Sequence, residues 1–270
     1  MGVSPESNKD HPYLLELTQP IRDRAAKYDY PLEKNVVELL NKERFLELLH
    51  DFIVYDRGQK KLARSNQYFG IKAAQDFINR GEGGIIWHTQ GSGKSLTMVW
   101  LTKWLRETNP NARVLIVIDR EELDEQIEKV YKGVQENIYR TQSGKDLLNK
   151  LNDSSPLLMC SLVHKFGGKE EVDEKDMDAY VQDLRSNIPS DFKAKGDLSV
   201  FVDECHRTQT GKLHVAMKQF LPDALFIGFT GTPLLKSDKQ TSLEVFGRYI
   251  HTYKFDEAVN DKVVLDLRYE

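Results

Sequence analysis

Gly91-Ser92-Gly93-Lys94-Ser95 carries the strongest chemical signal in the sequence. It follows the apolar run GGIIWHT (83–89) and opens the helical pattern SLTMVWLTKWL. A phosphate chain needs closely spaced backbone N–H donors, which only small residues allow to approach, and a helix N-terminus adds positive potential. Lys94 would neutralise the β- and γ-phosphates, and the Ser95 hydroxyl would bind Mg²⁺. The full phosphate-loop pattern has a further Gly five residues before Gly93, and His88 stands there instead.

A second group, Asp203-Glu204-Cys205-His206, closes the apolar run LSVFVDE. Adjacent carboxylates can divide labour: Asp203 holds Mg²⁺ through water, while Glu204 orients and deprotonates an attacking water. The third group is Phe229-Thr230-Gly231-Thr232-Pro233 at the end of the next apolar run. Two short hydroxyl side chains around a Gly can sense a neighbouring carboxylate–Mg²⁺ cluster, so Thr230 and Thr232 read as a coupling element.

These groups need a scaffold that brings strand ends together. From about residue 82, short apolar runs (83–89, 113–119, 156–163, 198–204, 224–230) alternate with helical stretches at 96–106, 121–131 and 212–220. Nearly continuous apolar runs are the mark of strands buried on both faces, and strand–helix alternation predicts a parallel sheet with helices on both sides. Ligand chemistry in such sheets lies at the carboxyl ends of the strands. Residues 1–60 read instead as a mainly helical lead-in, with apolar residues at helical spacing in ERFLELLHDF and a turn at Tyr55-Asp56-Arg57-Gly58. Residues 61–270 then form the main domain.

Composition narrows the classes. The 270 residues are 40% hydrophobic with 17 Gly and 9 Pro, which excludes disorder as the main state and a collagen-like chain. No apolar run approaches the roughly 20 residues that a membrane-spanning helix needs. The start MGVSPESNKD is polar, without the apolar core of a secretory signal. Cys160 and Cys205 sit in apolar segments and read as buried thiols of a reducing, cytoplasmic compartment. With 38 basic and 42 acidic residues the net charge is -4, so a nucleic-acid partner must be argued from motifs and not from bulk charge. The block KEEVDEKDMD (169–178) reads as a solvated insertion.

In their order, GSGKS, DECH and FTGTP resemble motifs I, II and III of superfamily 2 helicases and translocases. More narrowly, IIWHTQGSGKSLTMVWL, VLIVIDREELDEQ, SLVHKFGG, FVDECHRTQTGKL and IGFTGTPLL resemble the motor (R) subunit of type I restriction enzymes, over most of residues 40–270. The resemblance implies an α/β, RecA-like phosphate-loop fold, binding of ATP and Mg²⁺, and translocation on double-stranded DNA in a complex with modification and specificity subunits. It places an adenine-reading glutamine at Gln67, where a side-chain amide can donate and accept at once. Ser65 and Asn66 stand where that family usually carries an aromatic. It also assigns DNA-backbone contacts to Arg120, Ser161, His164 and Lys165, and a coupling role toward a second lobe to His206.

Such motors hydrolyse ATP between two RecA-like lobes. The resemblance implies that this chain is the first lobe with its lead-in, a fragment without nuclease or second lobe that hydrolyses ATP slowly, if at all, on its own. Two other readings stay open: an RNA-directed DECH helicase, and a non-catalytic ATP-sensing interaction module.

Overall fold

The computed structural model describes residues 12–118, 121–162 (backbone alone for 121–126), 182, 186–188, 192–205, 217–218, 221–232 and 246–265. The expected charge block at 169–178 lies outside them, as does the helical pattern at 212–220 apart from 217–218.

Strands β3 (Gly84–His88), β4 (Ala112–Ile118), β5 (Tyr139–Arg140), β6 (Leu158–Leu162), β7 (Asp197–Val202), β8 (Leu225–Thr230) and β9 (Tyr249–Tyr253) form one parallel sheet in the order β5-β6-β4-β7-β8-β3-β9. The predicted apolar runs supply five of these strands. Their side chains alternate between two cores, as a period of two requires. Val114, Ile116 and Ile118 of β4 join Phe201, Ile227 and Phe229 on one face. Leu115 and Val117 join Val200, Val202 and Phe226 on the other.

Helices cover both faces. On the first lie α4 (Ser65–Asn79), α5 (Lys94–Thr108) and α6 (Glu121–Gly133), through residues such as Phe77, Trp100 and Tyr131; α7 (Gly144–Asn152) covers the second through Leu147, Leu148 and Leu151. The sheet is that of a RecA-like lobe.

The lead-in contains α1 (Pro12–Ala25), α2 (Pro31–Leu39) and α3 (Lys42–Asp51). In α1 the buried positions Leu14, Thr18, Ile21 and Ala25 fall on one stripe, and Leu14 reaches the first core. The lead-in is not helical throughout. Residues 53–62 form an antiparallel hairpin, β1 (Ile53–Asp56) and β2 (Gln59–Leu62), with the expected turn at its tip, where Arg57 and Gly58 both have positive φ. The Arg57 N–H donates to the Gly133 carbonyl (3.0 Å), which pins the hairpin to the end of α6.

Arg113, at the start of the internal strand β4, ties together the loops at the end of the sheet opposite the strand carboxyl ends. It is 1% exposed, and its guanidinium donates to the carbonyls of Lys150 (2.7 Å), Leu151 (2.9 Å), Lys195 (2.9 Å) and Pro156 (3.0 Å). Lys150 and Leu151 belong to the last turn of α7, whose carbonyls and dipole favour a cation.

Candidate functional site

Strand β3 runs into residues 89–93, and α5 begins at Lys94. Gly91 (φ 81°) and Gly93 (φ 89°) both take left-handed backbone, which lets the loop fold back over the helix N-terminus. The Gly93 carbonyl then accepts from Leu96 N (3.1 Å) and Thr97 N (3.2 Å), starting the helix. Ser92 turns inward: it is fully buried, and its hydroxyl has no partner. A buried, unsatisfied hydroxyl in a glycine cradle fits an anionic ligand that would engage it.

Across the loop, Asp203 N–H donates to the Val117 carbonyl and Cys205 N–H to the Phe229 carbonyl, both at 3.0 Å. These bonds clip the Asp-Glu pair to the ends of β4 and β8. Between them Glu204 has φ 49°, an unusual backbone for a residue with a Cβ, and such strain gathers at functional sites. The Lys94 ammonium stands 3.9 Å from Glu204 Oε1, with side chains 12% and 20% exposed. Asp203 is 6% exposed beside them.

The third motif closes on the same ammonium. A Cβ added to Gly231 would lie 2.9 Å from Lys94 Nζ, so a side chain there would displace the ammonium from its place. Thr230 is fully buried and its hydroxyl donates to the Thr232 carbonyl (3.1 Å) while accepting from Thr232 N–H (3.2 Å). Three stretches distant in sequence thus converge on Lys94 because β7, β8 and β3 are neighbours in the sheet.

Ser95 follows Lys94 in the first turn of α5. Its hydroxyl and the Asp203 carboxylate are hard oxygen donors of the kind Mg²⁺ takes, so the residues present fit that ion. Burial pushes the Cys205 thiol well above its ordinary range, and the carboxylates of Asp203 and Glu204 push it further, so it stays protonated. Both cysteines are free and buried.

Gln67 is 3% exposed at the start of α4. Its oxygen accepts from Arg64 N–H (2.9 Å), and its nitrogen donates to the Gly93 carbonyl (2.9 Å). That leaves one N–H and one lone pair for a ligand. Ser161 does not join this cluster: it is 2% exposed inside β6, beyond β4, β7 and β8 from the phosphate loop. Arg120, His164, Lys165 and His206 lie outside the described residues.

Two features went unread in the sequence. His88 Nε2 and His251 Nδ1 are 2.8 Å apart, both buried, joining the residue before the phosphate loop to β9. Beside β9 opens a cavity of about 630 Å³ bounded by α1, the start of α4 and residues 251–263. It adjoins the start of the phosphate loop through Tyr253, which lines it and whose carbonyl accepts from Thr89 N–H (2.9 Å).

Residues 66–270 match the family described as SWI2/SNF2 ATPase. Over 244 residues the chain is 33% identical to the putative type I restriction enzyme MjaIXP endonuclease subunit of Methanocaldococcus jannaschii, covering 86% of this chain and 22% of that protein. To the type I restriction enzyme HindI endonuclease subunit of Haemophilus influenzae it is 30% identical over 288 residues, 92% of this chain and 25% of that one. The chain therefore spans about a quarter or less of the length of these relatives. Among solved structures, a nuclease-deletion mutant of the Type ISP restriction-modification enzyme LlaGI, in complex with a DNA substrate mimic, shares the fold. Its TM-score is 0.54 at 16% identity, with 75% of this chain and 21% of that chain covered. By its family match the chain belongs to the SWI2/SNF2 ATPases, and its curated relatives are type I restriction enzyme endonuclease subunits.

Proposed function

We propose that this chain is the ATP-binding motor lobe of a type I restriction enzyme R subunit, coupling ATP hydrolysis to translocation on double-stranded DNA. The observation that carries this reading is the convergence of Glu204 and Gly231 on the Lys94 ammonium. The backbone donors of 91–95 and Lys94 hold the triphosphate, and Ser95 and Asp203 hold Mg²⁺. When bound, the ion neutralises charge on the phosphate oxygens. Glu204 orients the attacking water and takes its proton, and Lys94 steadies the charge that develops on the transferred phosphoryl group.

Gln67 reads the adenine edge with its remaining N–H and lone pair, while its other two bonds tie the start of α4 to the phosphate loop. Thr230, Thr232 and His206 pass the state of the site to a second motor lobe. Arg120, His164 and Lys165 are the DNA-backbone donors of this reading, while Ser161 is buried in β6, the strand that precedes His164 and Lys165. The partners it takes are double-stranded DNA and the modification and specificity subunits of a restriction complex, in the cytoplasm.

The test is phosphate release by this lobe joined to a second one, with no nucleic acid, duplex DNA or duplex RNA. Stimulation by DNA supports the proposal. Stimulation by RNA alone moves the motor to another track, and turnover indifferent to DNA overturns the translocase reading.

A further inference from the structure

Tyr68 and Lys72 stand four residues apart on α4, and both present their polar ends to one carboxylate of the lead-in. The Tyr68 hydroxyl donates to Glu47 Oε2 (2.7 Å), and the Lys72 ammonium donates to Glu47 Oε1 (2.5 Å). The Lys72 and Glu47 side chains are only 15% and 23% exposed, so salt screens this pair less than one on the open surface. The Arg44 guanidinium lies over the Tyr68 ring, 5.8 Å from its centre, and the Phe52 ring packs against it at 4.7 Å. Burial and the bond to Glu47 raise the Tyr68 pKa, so the phenol keeps the proton it donates.

Helix α3 therefore grips the first two turns of α4. No residue of α3 is fully buried, so its hold on the motor lobe rests on Leu48, on Phe52 at its end and on this polar grip. The gripped turns are those that meet the phosphate loop. Gln67 precedes Tyr68 and donates to the Gly93 carbonyl (2.9 Å). Two residues on, α4 lies tight against the strand that feeds the loop, since a Cβ on Gly70 would lie 2.9 Å from His88 Cε1. A side chain that must meet a ligand at a fixed place needs the element beneath it held still, and small misplacements are costly.

We propose that Glu47 is a positioning residue for the nucleotide: by holding Tyr68 and Lys72 it fixes the first turns of α4 and, through them, the Gln67 amide. Glu47 itself meets no nucleotide. The lead-in helix α3 is thereby a working part of nucleotide selection and not only a connection to the motor lobe. This inference rests on the ATP-binding reading above.

The test is an equilibrium titration of the chain with ATP and GTP in Mg²⁺, run beside urea melts of the same variants. GTP presents a reversed donor–acceptor edge, so the ratio of the two affinities reads the placement of the Gln67 amide. Wild type should prefer ATP by about tenfold or more. Glu47→Ala should lower this preference by about fivefold or more, and Glu47→Gln, which keeps an acceptor for Tyr68, should fall between. Tyr68→Phe removes the hydroxyl and keeps the ring, so it should lose part of the preference even where Glu47→Ala fails to fold. In the Gln67→Ala background, Glu47→Ala should change the ratio no further. Arg80→Ala breaks an ion pair with Asp76 at the far end of α4 and should leave the preference unchanged.

An intact preference in Glu47→Ala and Tyr68→Phe, with only the melts displaced, reduces Glu47 to a structural tie and overturns the inference. An equal loss in Arg80→Ala, or a loss that persists without Gln67, overturns it as well. Equal wild-type affinity for ATP and GTP removes it together with the role of Gln67. Absence of saturable binding, or binding indifferent to Lys94→Ala, overturns the ATP-site reading itself.

Discussion

His88 and His251 share a single proton between facing ring nitrogens 2.8 Å apart, and this bond joins the phosphate-loop strand to β9. One ring must donate and the other accept, so the couple works with His88 neutral. Burial holds the His88 pKa well below its ordinary 6.5, and the neighbouring His251 and Lys94 push it the same way.

A depressed folded-state pKa means that the unfolded chain binds more protons below about pH 6.5. The stability due to neutral His88 is therefore complete above that pH and is lost as pH falls below it. Thermal melts from pH 7.5 to 5.5 should show a declining midpoint, and His88→Gln should flatten the decline by up to about 1.4 kcal/mol per pH unit. An unchanged slope in His88→Gln would remove His88 as its source.

Lys94 and Glu204 face each other, yet their variants should behave differently. Lys94→Ala removes the charge that meets the phosphates and should weaken nucleotide binding. Glu204→Gln keeps the shape and should leave binding intact while lowering turnover of the two-lobe protein by about 10²–10⁴. Binding by titration and phosphate release, measured on the same variants, separate the two roles.

Gly93 carries two constraints at once. Its φ of 89° makes any side chain cost about 1–3 kcal/mol. A Cβ there would also lie 2.5 Å from Gln67 Nε2. Gly93→Ala should therefore destabilise strongly, and part of that loss should vanish in the Gln67→Ala background, where the obstructing amide is gone. A double-mutant cycle from urea melts reads the coupling, and strict additivity would show that the backbone conformation alone sets the cost.

Arg113→Met should be among the most damaging substitutions away from the site, by roughly 3 kcal/mol or more, because several buried carbonyls lose their donors together. Arg113→Lys should recover little, since a lysine ammonium cannot span carbonyls from three separate segments. Chemical denaturation of the three proteins, with nucleotide binding measured beside it, gives the answer.

Much of this was legible in advance where residue type alone carries the physics. The central strands announced themselves because strands covered on both faces must be apolar at nearly every position. Gly91, Gly93 and Lys94 announced a phosphate loop because backbone conformation and charge are properties of single residues. The polar strands were not legible. β2 reads QKKL and β9 reads YIHTY, and neither has the apolar run or the clean alternation that marks a strand. β2 exists because a hairpin turn folds it onto β1, and β9 because the edge of β3 offers hydrogen bonds.

The motif residues and the strands that carry them could therefore be named from the sequence alone. Only the tertiary structure decided which of them meet. Strand order set Glu204 and Gly231 around Lys94, bent Gln67 onto Gly93, and buried Ser161 inside β6. Contacts of that kind depend on the order in which distant strands pair, and pairing order is a property of the whole packed sheet and of no local stretch of residues.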